Sequence, residues 1–188
     1  ERETLNVILS VDGKPYYKDA LGDYWRSYKF ITDATSYDKV EKSEHFYQSA
    51  VAFGNFQRLL ADYPAETLHE TIKGFHDTKA RFQVFKETVE KDIAGRADSV
   101  KDEIQFVLDR EDTANYFSGL LSRGEVPVRV THNDTKLNNI MIDNRTGKGI
   151  CVIDLDTVMP GLAVNDFGDS IRFGASTAAE DETDLSKV

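Results

Sequence analysis

Only one cysteine, Cys151, occurs among the 188 residues, so no intramolecular disulfide can form and packing and hydrogen bonds must hold the fold. A lone thiol inside an apolar stretch fits a reducing compartment, and the expected localisation is cytoplasmic. No apolar run approaches the roughly 18–20 residues that cross a bilayer, and no signal-peptide core is visible, so no membrane association is expected. Basic residues are the minority. Against 33 Asp and Glu there are 23 Lys and Arg, a net charge of −10, which argues against a general nucleic-acid binder. His45, His69 and His76 are scattered and lack paired cysteines or an H-E-x-x-H pattern, so no zinc site is expected. Low-complexity segments and internal repeats are missing as well.

What is present reads as short strands, then helices, then strands again. Leu5 to Val11, an Asp12-Gly13 turn, Tyr16-Tyr17, a Leu21-Gly22-Asp23 turn and Tyr24 to Ile31 predict antiparallel strands. Thr32 to Asp38 reads as a polar link. Ser43 is the expected N-cap of a helix running to about Ala61, with Phe46, Ala50, Phe53, Gln57 and Leu60 on one stripe and Pro64 beyond it. Further helices are expected from about Thr78 (Phe82, Phe85, Val89, Ile93, ending near Gly95), from Ser99, and from Thr113 to Arg123 before Gly124. The phenylalanine stripe is a core face.

The densest chemistry lies between Val130 and Asp156. His132-x-Asp134, followed five residues later by Asn139, repeats the H-x-D-x-x-x-x-N of a kinase catalytic loop. Val128 and Val130 lead into it, Ile140 to Ile142 leaves it, and Asn144 to Gly149 is a turn before the apolar run Ile150 to Ile153. A hairpin of that kind returns Asp154 beside Asn139. Phosphoryl transfer needs a carboxylate aimed at the acceptor hydroxyl and hard oxygen donors for Mg²⁺. Asp134 is the candidate for the first task, and Asn139 with Asp154 for the second. Asp156 either reaches the metal shell through water or faces solvent. The tripeptide Asp166-Phe167-Gly168 mimics a kinase metal motif, but it lies too far beyond Asp134 and follows no apolar strand. His132 is expected to pack and to hydrogen-bond the loop backbone rather than to act as a base.

The order His132, Asp134, Asn139, Ile153-Asp154 and Asp166 to Asp169 resembles the aminoglycoside phosphotransferase and choline kinase superfamily. More narrowly, THNDTKLNN, VIDLDTVMPG and DFGDSIRFGASTAAEDE are similar to the bacterial N-acetylhexosamine 1-kinases. The resemblance implies an α+β, protein kinase-like fold, with residues 1–37 as part of a small lobe and hinge and residues 38–188 as part of the large catalytic lobe. It implies ATP and Mg²⁺ as cofactors, and N-acetylglucosamine or N-acetylgalactosamine as acceptor, phosphorylated at the anomeric hydroxyl.

By the same resemblance Asp134 is the catalytic base, Asn139 and Asp154 are the magnesium ligands, and Lys136 reaches the γ-phosphate, unless it is a solvated lysine. Ile31 and Thr32 are the hinge positions whose backbone meets adenine. Asp169 is the acid that braces the backbone at His132 and Asn133, the plainer alternative being an exposed ion pair with Arg172. Asn133 stands where many superfamily members carry glycine. No glycine-rich phosphate loop and no small-lobe lysine can be placed, since Gly13, Gly22, Gly54 and Gly74 are scattered. The chain therefore reads as a truncated kinase fold that begins inside the small lobe, and by itself it is expected to be inactive.

Overall fold

The computed structural model describes residues 2–176, 178, 182–184 and 186. Contacts gather into two compact units, Glu1–His69 with Arg129–Val188, and Glu70–Val128.

The first unit opens with four two-residue strands, β1 (Val7–Ile8), β2 (Tyr17–Lys18), β3 (Tyr24–Trp25) and β4 (Ser27–Tyr28). β1 pairs antiparallel with β4, and β2 with β3. The Asp12-Gly13 turn closes through Gly13 N–H to Ser10 O at 2.9 Å, with Gly13 at φ 79°. Asp19 closes the second turn, its carboxylate accepting from the N–H groups of Leu21 and Asp23 and from the Trp25 indole. The ladders are shorter than the apolar letters suggest. Val7, Ile8, Tyr17, Tyr24 and Trp25 are all exposed, so these strands bury no face that would extend the pairing.

Five further strands and two helices build the rest of this unit. β5 (Ala34–Thr35), β6 (Arg129–Thr131), β7 (Ile140–Asp143), β8 (Gly149–Val152) and β9 (Met159–Gly161) form an antiparallel sheet ordered β5-β7-β8 and a separate β6-β9 pair. β5 lies inside the segment expected to be a polar link. It forms because Ala34 and Thr35 pair with Asp143 and Ile142, a long-range register that local composition does not encode. Helix α1 (Ser43–Leu59) has Lys42 at its cap position without a side-chain bond, so Ser43 is the first helical residue rather than the N-cap. Its buried row is His45, Ser49 and Phe53, while Ala50 is exposed. Phe53 joins Leu137, Ile140 and Ile142 in the core, with Tyr37, Val40, Ala52, Val152 and Phe173 packed against it.

The second unit is helical: α2 (Thr78–Lys91), α3 (Lys101–Leu108) and α4 (Glu111–Ser122). The Asp77 side chain caps α2 by accepting from Ala80 N–H at 2.9 Å. α2 ends at Lys91, before Gly95, because Asp92 turns left-handed (φ 33°) and its carboxylate accepts from the N–H groups of Arg96 and Ala97. Ile93 is thereby left exposed. Residues 97–100 form a 3₁₀ turn, so α3 starts at Lys101 rather than Ser99. α2 packs on α4, with Phe82 buried and Lys86 paired to Glu111 at 2.8 Å. Gly124 (φ 69°) closes α4 as its sequence position suggests.

The chain finishes its described fold with helix α5 (Ala163–Gly174), which packs on α1. The approach is close: a Cβ on Gly174 would lie 2.1 Å from the Phe46 ring.

The β7–β8 hairpin carries a charged lock. Asp143, almost fully buried, accepts from the Arg2 guanidinium at 2.8 Å and from the N–H and hydroxyl of Thr146 at 2.8 and 2.9 Å. The Arg2 guanidinium first, and then Thr146, hold its carboxyl well below the usual carboxylate range. A carboxyl depressed in the folded state stabilises fully above its unfolded value of about 4 and loses that contribution as pH falls toward the folded value. The stability difference between the parent and Asp143→Asn, measured by urea unfolding, is therefore expected to be full at pH 7 and to shrink progressively below about pH 4. A difference constant from pH 7 to pH 3 would contradict this assignment.

Candidate active site

Strand β6 delivers residues 132–139 into a loop, β7 leaves it, and the hairpin returns residues 153–157 along its side. The loop is held from beneath. His132 is fully buried; its Nε2 faces Ile153 O at 2.9 Å and its Nδ1 faces Asp134 N–H at 3.4 Å. A carbonyl can only accept, so Nε2 carries the proton and Nδ1 accepts. Phe53 and Phe56 press their edges against the ring. Both nitrogens are thus engaged by backbone, and the ring serves to position the loop.

Asn133 adopts the left-handed region at φ 68°, which asparagine tolerates better than most residues. Its side chain stabilises that conformation, with Nδ2 donating to Thr157 O (2.8 Å) and Thr131 O (3.2 Å) and Oδ1 accepting from the Thr131 hydroxyl at 2.9 Å. These bonds supply a physical reason for asparagine at this left-handed position. Gly161 on β9 makes room for the cluster, since a Cβ there would lie 2.3 Å from Thr131 Oγ1 and 3.1 Å from Asn133 Oδ1.

Asp134 is half-buried at the mouth of the loop. Asn139 Nδ2 donates to its Oδ2 at 3.0 Å and to its backbone oxygen at 2.8 Å, and Lys136 Nζ lies 3.5 Å from its Oδ1. The structure therefore brings Asp134, Lys136 and Asn139 together. Because Nδ2 of Asn139 faces two Asp134 oxygens, the amide oxygen Oδ1 is turned the other way. Ile153 N–H donates to Asn139 O at 2.9 Å, and Ile140 pairs with Val152, which sets Asp154 next to Asn139 along the hairpin. Asp154 is exposed, left-handed at φ 56° and ψ 60°, and makes no side-chain hydrogen bond or ion pair among the described residues. The Asn139 amide oxygen, which the Nδ2 contacts leave unused, and the Asp154 carboxylate further along the hairpin are hard-oxygen donors of the kind that suits Mg²⁺. Among the described residues no three His, Cys, Asp or Glu side chains converge, and a magnesium ion held by one carboxylate, one amide oxygen and phosphate oxygens needs no such cluster.

The bracing acid differs from the sequence expectation. Asp169 was expected to accept from the N–H groups of His132 and Asn133, but Asp166 does so, at 3.0 and 2.7 Å, and also accepts from Gln57 Nε2 at 2.8 Å. Asp169 instead accepts from Thr135 N–H at 2.8 Å and pairs with Arg172 at 2.9 Å. The reason is helical geometry: residues three apart on α5 share a face, so Asp166 in the first turn meets the start of the loop and Asp169 meets the next segment. The Thr135 hydroxyl donates to Asp166 O at 2.6 Å and completes the seam. Asp166, at 3 % exposure, has its oxygens filled by protein donors, so the Asp166-Phe167-Gly168 tripeptide is no metal motif.

Sequence reasoning gave no site role to Thr131 or Thr157, placed Gln57 only on a helix stripe, and considered Asp166 only as a mimic of a metal motif. The one available signal was the i,i+3 spacing of Asp166 and Asp169 on an amphipathic helix. Asp156 is exposed, as the solvent-facing expectation has it, and there it forms an ion pair with Arg26. Ile31 is buried, while Thr32 O accepts from Arg2 Nη2 at 2.8 Å; this segment is tied to the site through the β5–β7 pairing, which leads back along β7 to Asn139. Cys151 lies buried in β8, and burial pushes its thiol above the ordinary value, as befits an inert core thiol.

Two stability outcomes follow from this seam. Removing the Asp166 carboxylate strands two buried N–H groups, each worth about 1–3 kcal/mol when unsatisfied. Asp166→Ala is thus expected to cost about 2–6 kcal/mol in urea unfolding and more than Asp169→Ala; the reverse order would show that Asp169 carries the loop. Gly161→Ala should cost about 1–3 kcal/mol by overpacking against Thr131, and a neutral result would mean that β9 can shift away from β6.

The model of the phosphotransferase enzyme family (APH) matches residues 14–185, which is 185 − 14 + 1 = 172 of the 188 residues. The catalytic-type loop, the returning hairpin and the bracing helix all fall within that span. The chain belongs to the phosphotransferase enzyme family.

Proposed function

We propose that the protein carrying this chain transfers the γ-phosphoryl group of ATP to a hydroxyl of a small molecule, with the anomeric hydroxyl of an N-acetylhexosamine as acceptor. The observation that supports it best is the Asp134 carboxylate, held at the loop mouth by Asn139 Nδ2 and Lys136 Nζ with Asp154 returned alongside. The family match supports phosphotransfer to a small hydroxyl compound. The sugar rests on the likeness of THNDTKLNN, VIDLDTVMPG and DFGDSIRFG to N-acetylhexosamine 1-kinases. In this reading residues 1–37 belong to the small lobe, residues 38–188 to the large lobe, and Ile31 with Thr32 to the adenine-facing hinge.

The chemistry asked of these residues is mostly placement. Asp134 accepts a hydrogen bond from the acceptor hydroxyl, orients its oxygen for in-line attack on the γ-phosphorus, and takes the proton as the new O–P bond forms and the bond to the β,γ-bridging oxygen breaks. Lys136 sits within reach of both Asp134 and the transferred group, where its charge offsets that of the phosphoryl oxygens. Asn139 Oδ1 and the Asp154 carboxylate are the donors that would hold Mg²⁺. When bound, that ion neutralises phosphate charge and fixes the geometry of the leaving group. Asp166, Asp169 and His132 act through the loop by keeping the Asp134 backbone in one conformation.

Asp134→Asn, in the protein that carries this chain, is expected to lower kcat about 10²- to 10⁴-fold with a smaller change in acceptor KM and no loss of fold. Near-normal turnover at saturating ATP and acceptor would sink the phosphotransfer reading. The acceptor is tested separately, with a panel of N-acetylglucosamine, N-acetylgalactosamine, choline, homoserine and an aminoglycoside. Preference for one of the last three would retain the chemistry and replace the sugar.

A further inference from the structure

Residues 153–158 lie between the end of β8 and the start of β9, outside both ladders. This short arch carries Asp154, and the catalytic-type loop holds it at two points. At its start Ile153 O meets His132 Nε2 at 2.9 Å. Toward its end Thr157 O accepts from Asn133 Nδ2 at 2.8 Å, while the Thr157 hydroxyl donates to His132 O at 2.7 Å. Between these points the chain turns left-handed at Asp154 and closes a 3₁₀ turn through Val158 N–H to Leu155 O at 3.1 Å. Both anchors come from the two residues that directly precede Asp134.

Asn133 is engaged in two directions. Its N–H donates to Asp166 Oδ1 at 2.7 Å, which ties the loop backbone to α5. Its carboxamide Nδ2 meets the carbonyl oxygens of Thr157 and Thr131 instead. Carbonyl oxygens only accept, so the amide nitrogen is the atom that faces them, and at 3 % exposure of the residue little water competes for the contact. A glycine would adopt the left-handed backbone at least as readily, so the conformation alone does not account for a bond across to residue 157. We infer that Asn133 is a positioning residue whose side chain fixes the arch bearing Asp154 relative to Asp134. Asp166 and Asp169 brace the loop itself; the Asn133 carboxamide sets the arch against the loop. The inference rests on the proposed phosphotransfer reading for its consequence in metal response and turnover, and on the hydrogen bonds alone for the order of the arch.

The test compares the parent protein with Asn133→Gly, which keeps the left-handed backbone and its N–H bond to Asp166 but deletes the carboxamide. Amide hydrogen exchange reads the arch directly. Val158 N–H is expected to exchange about fivefold faster, the equivalent of one ordinary hydrogen bond, while the N–H groups of His132 and Thr135, held by Asp166 and Asp169, keep their parent rates. With Mn²⁺ as the probe, followed by electron paramagnetic resonance without turnover, binding is expected to weaken about tenfold, as when a residue supporting a metal ligand is lost. In steady state kcat should fall and acceptor KM should stay near the parent value, because Asp134 is still braced. Thr157→Val removes the other bond at the same end of the arch and should shift exchange and Mn²⁺ binding in the same direction; Thr157→Ser keeps the hydroxyl and should restore both. Parent exchange at Val158 in Asn133→Gly overturns the inference, as does equal acceleration at His132 and Thr135, since the side chain would then support the loop alone. Faster exchange at Val158 with parent Mn²⁺ binding and parent kcat overturns it too, because the arch would then loosen without consequence for the site. Failure of the phosphotransfer reading shows itself elsewhere, as turnover that survives Asp134→Asn.

Discussion

A single buried carboxylate organises the site. Asp166 accepts two backbone N–H groups from the first turn of the loop and the amide of Gln57 from α1, so one side chain joins α5, α1 and the 132–133 segment. Charge-assisted bonds of this kind are among the stronger ones available to a protein, and they compensate for burying an anion. Without such a partner the left-handed kink at Asn133 would expose two N–H groups to an apolar interior. With it, His132 can face Ile153 and Asp134 can face outward.

The second constraint is the antiparallel register of β7 and β8. Asn139 ends the loop just before β7, and Asp154 stands two residues beyond β8, so the pairing of Ile140 with Val152 decides that the two donors meet. A slip of one residue would send Asp154 to the other side of the hairpin. Asp143 and Thr146 close the far end of the same hairpin, and Ile140 and Ile142 anchor its inner face in the core with Phe53. Stability and the placement of Asn139 and Asp154 on neighbouring segments thus depend on the same strands.

Chemically the site offers little reactive machinery. One carboxylate meets a lysine and an amide, and a second, that of Asp154, makes no side-chain bond among the described residues. That economy suits phosphoryl transfer, in which the protein's work is positioning and charge neutralisation. It also explains why so many of the residues around Asp134 are backbone-directed: Thr131, His132, Asn133, Thr135 and Thr157 spend their polar atoms on fixing the loop.

The sequence by itself determined what is local. The H-x-D-x-x-x-x-N spacing, the turn-rich hairpin and the helical stripes were legible because short-range periodicity and turn chemistry encode them, and they located Asp134, Asn139 and Asp154 on adjoining elements. Helix ends were legible where glycine marked them, as at Gly124, and misread where a side chain turned the chain earlier, as at Asp92. What only the tertiary structure decided was pairing across long separations: β5 against β7, Arg26 against Asp156, and the division of labour between Asp166 and Asp169. Both aspartates lie on one helical face, and spacing cannot say which of two like carboxylates meets which N–H. That depends on the angle at which α5 crosses the loop, which is set by the packing of Gly174 on Phe46 and by the Gln57 bond, contacts more than 100 residues apart in the chain.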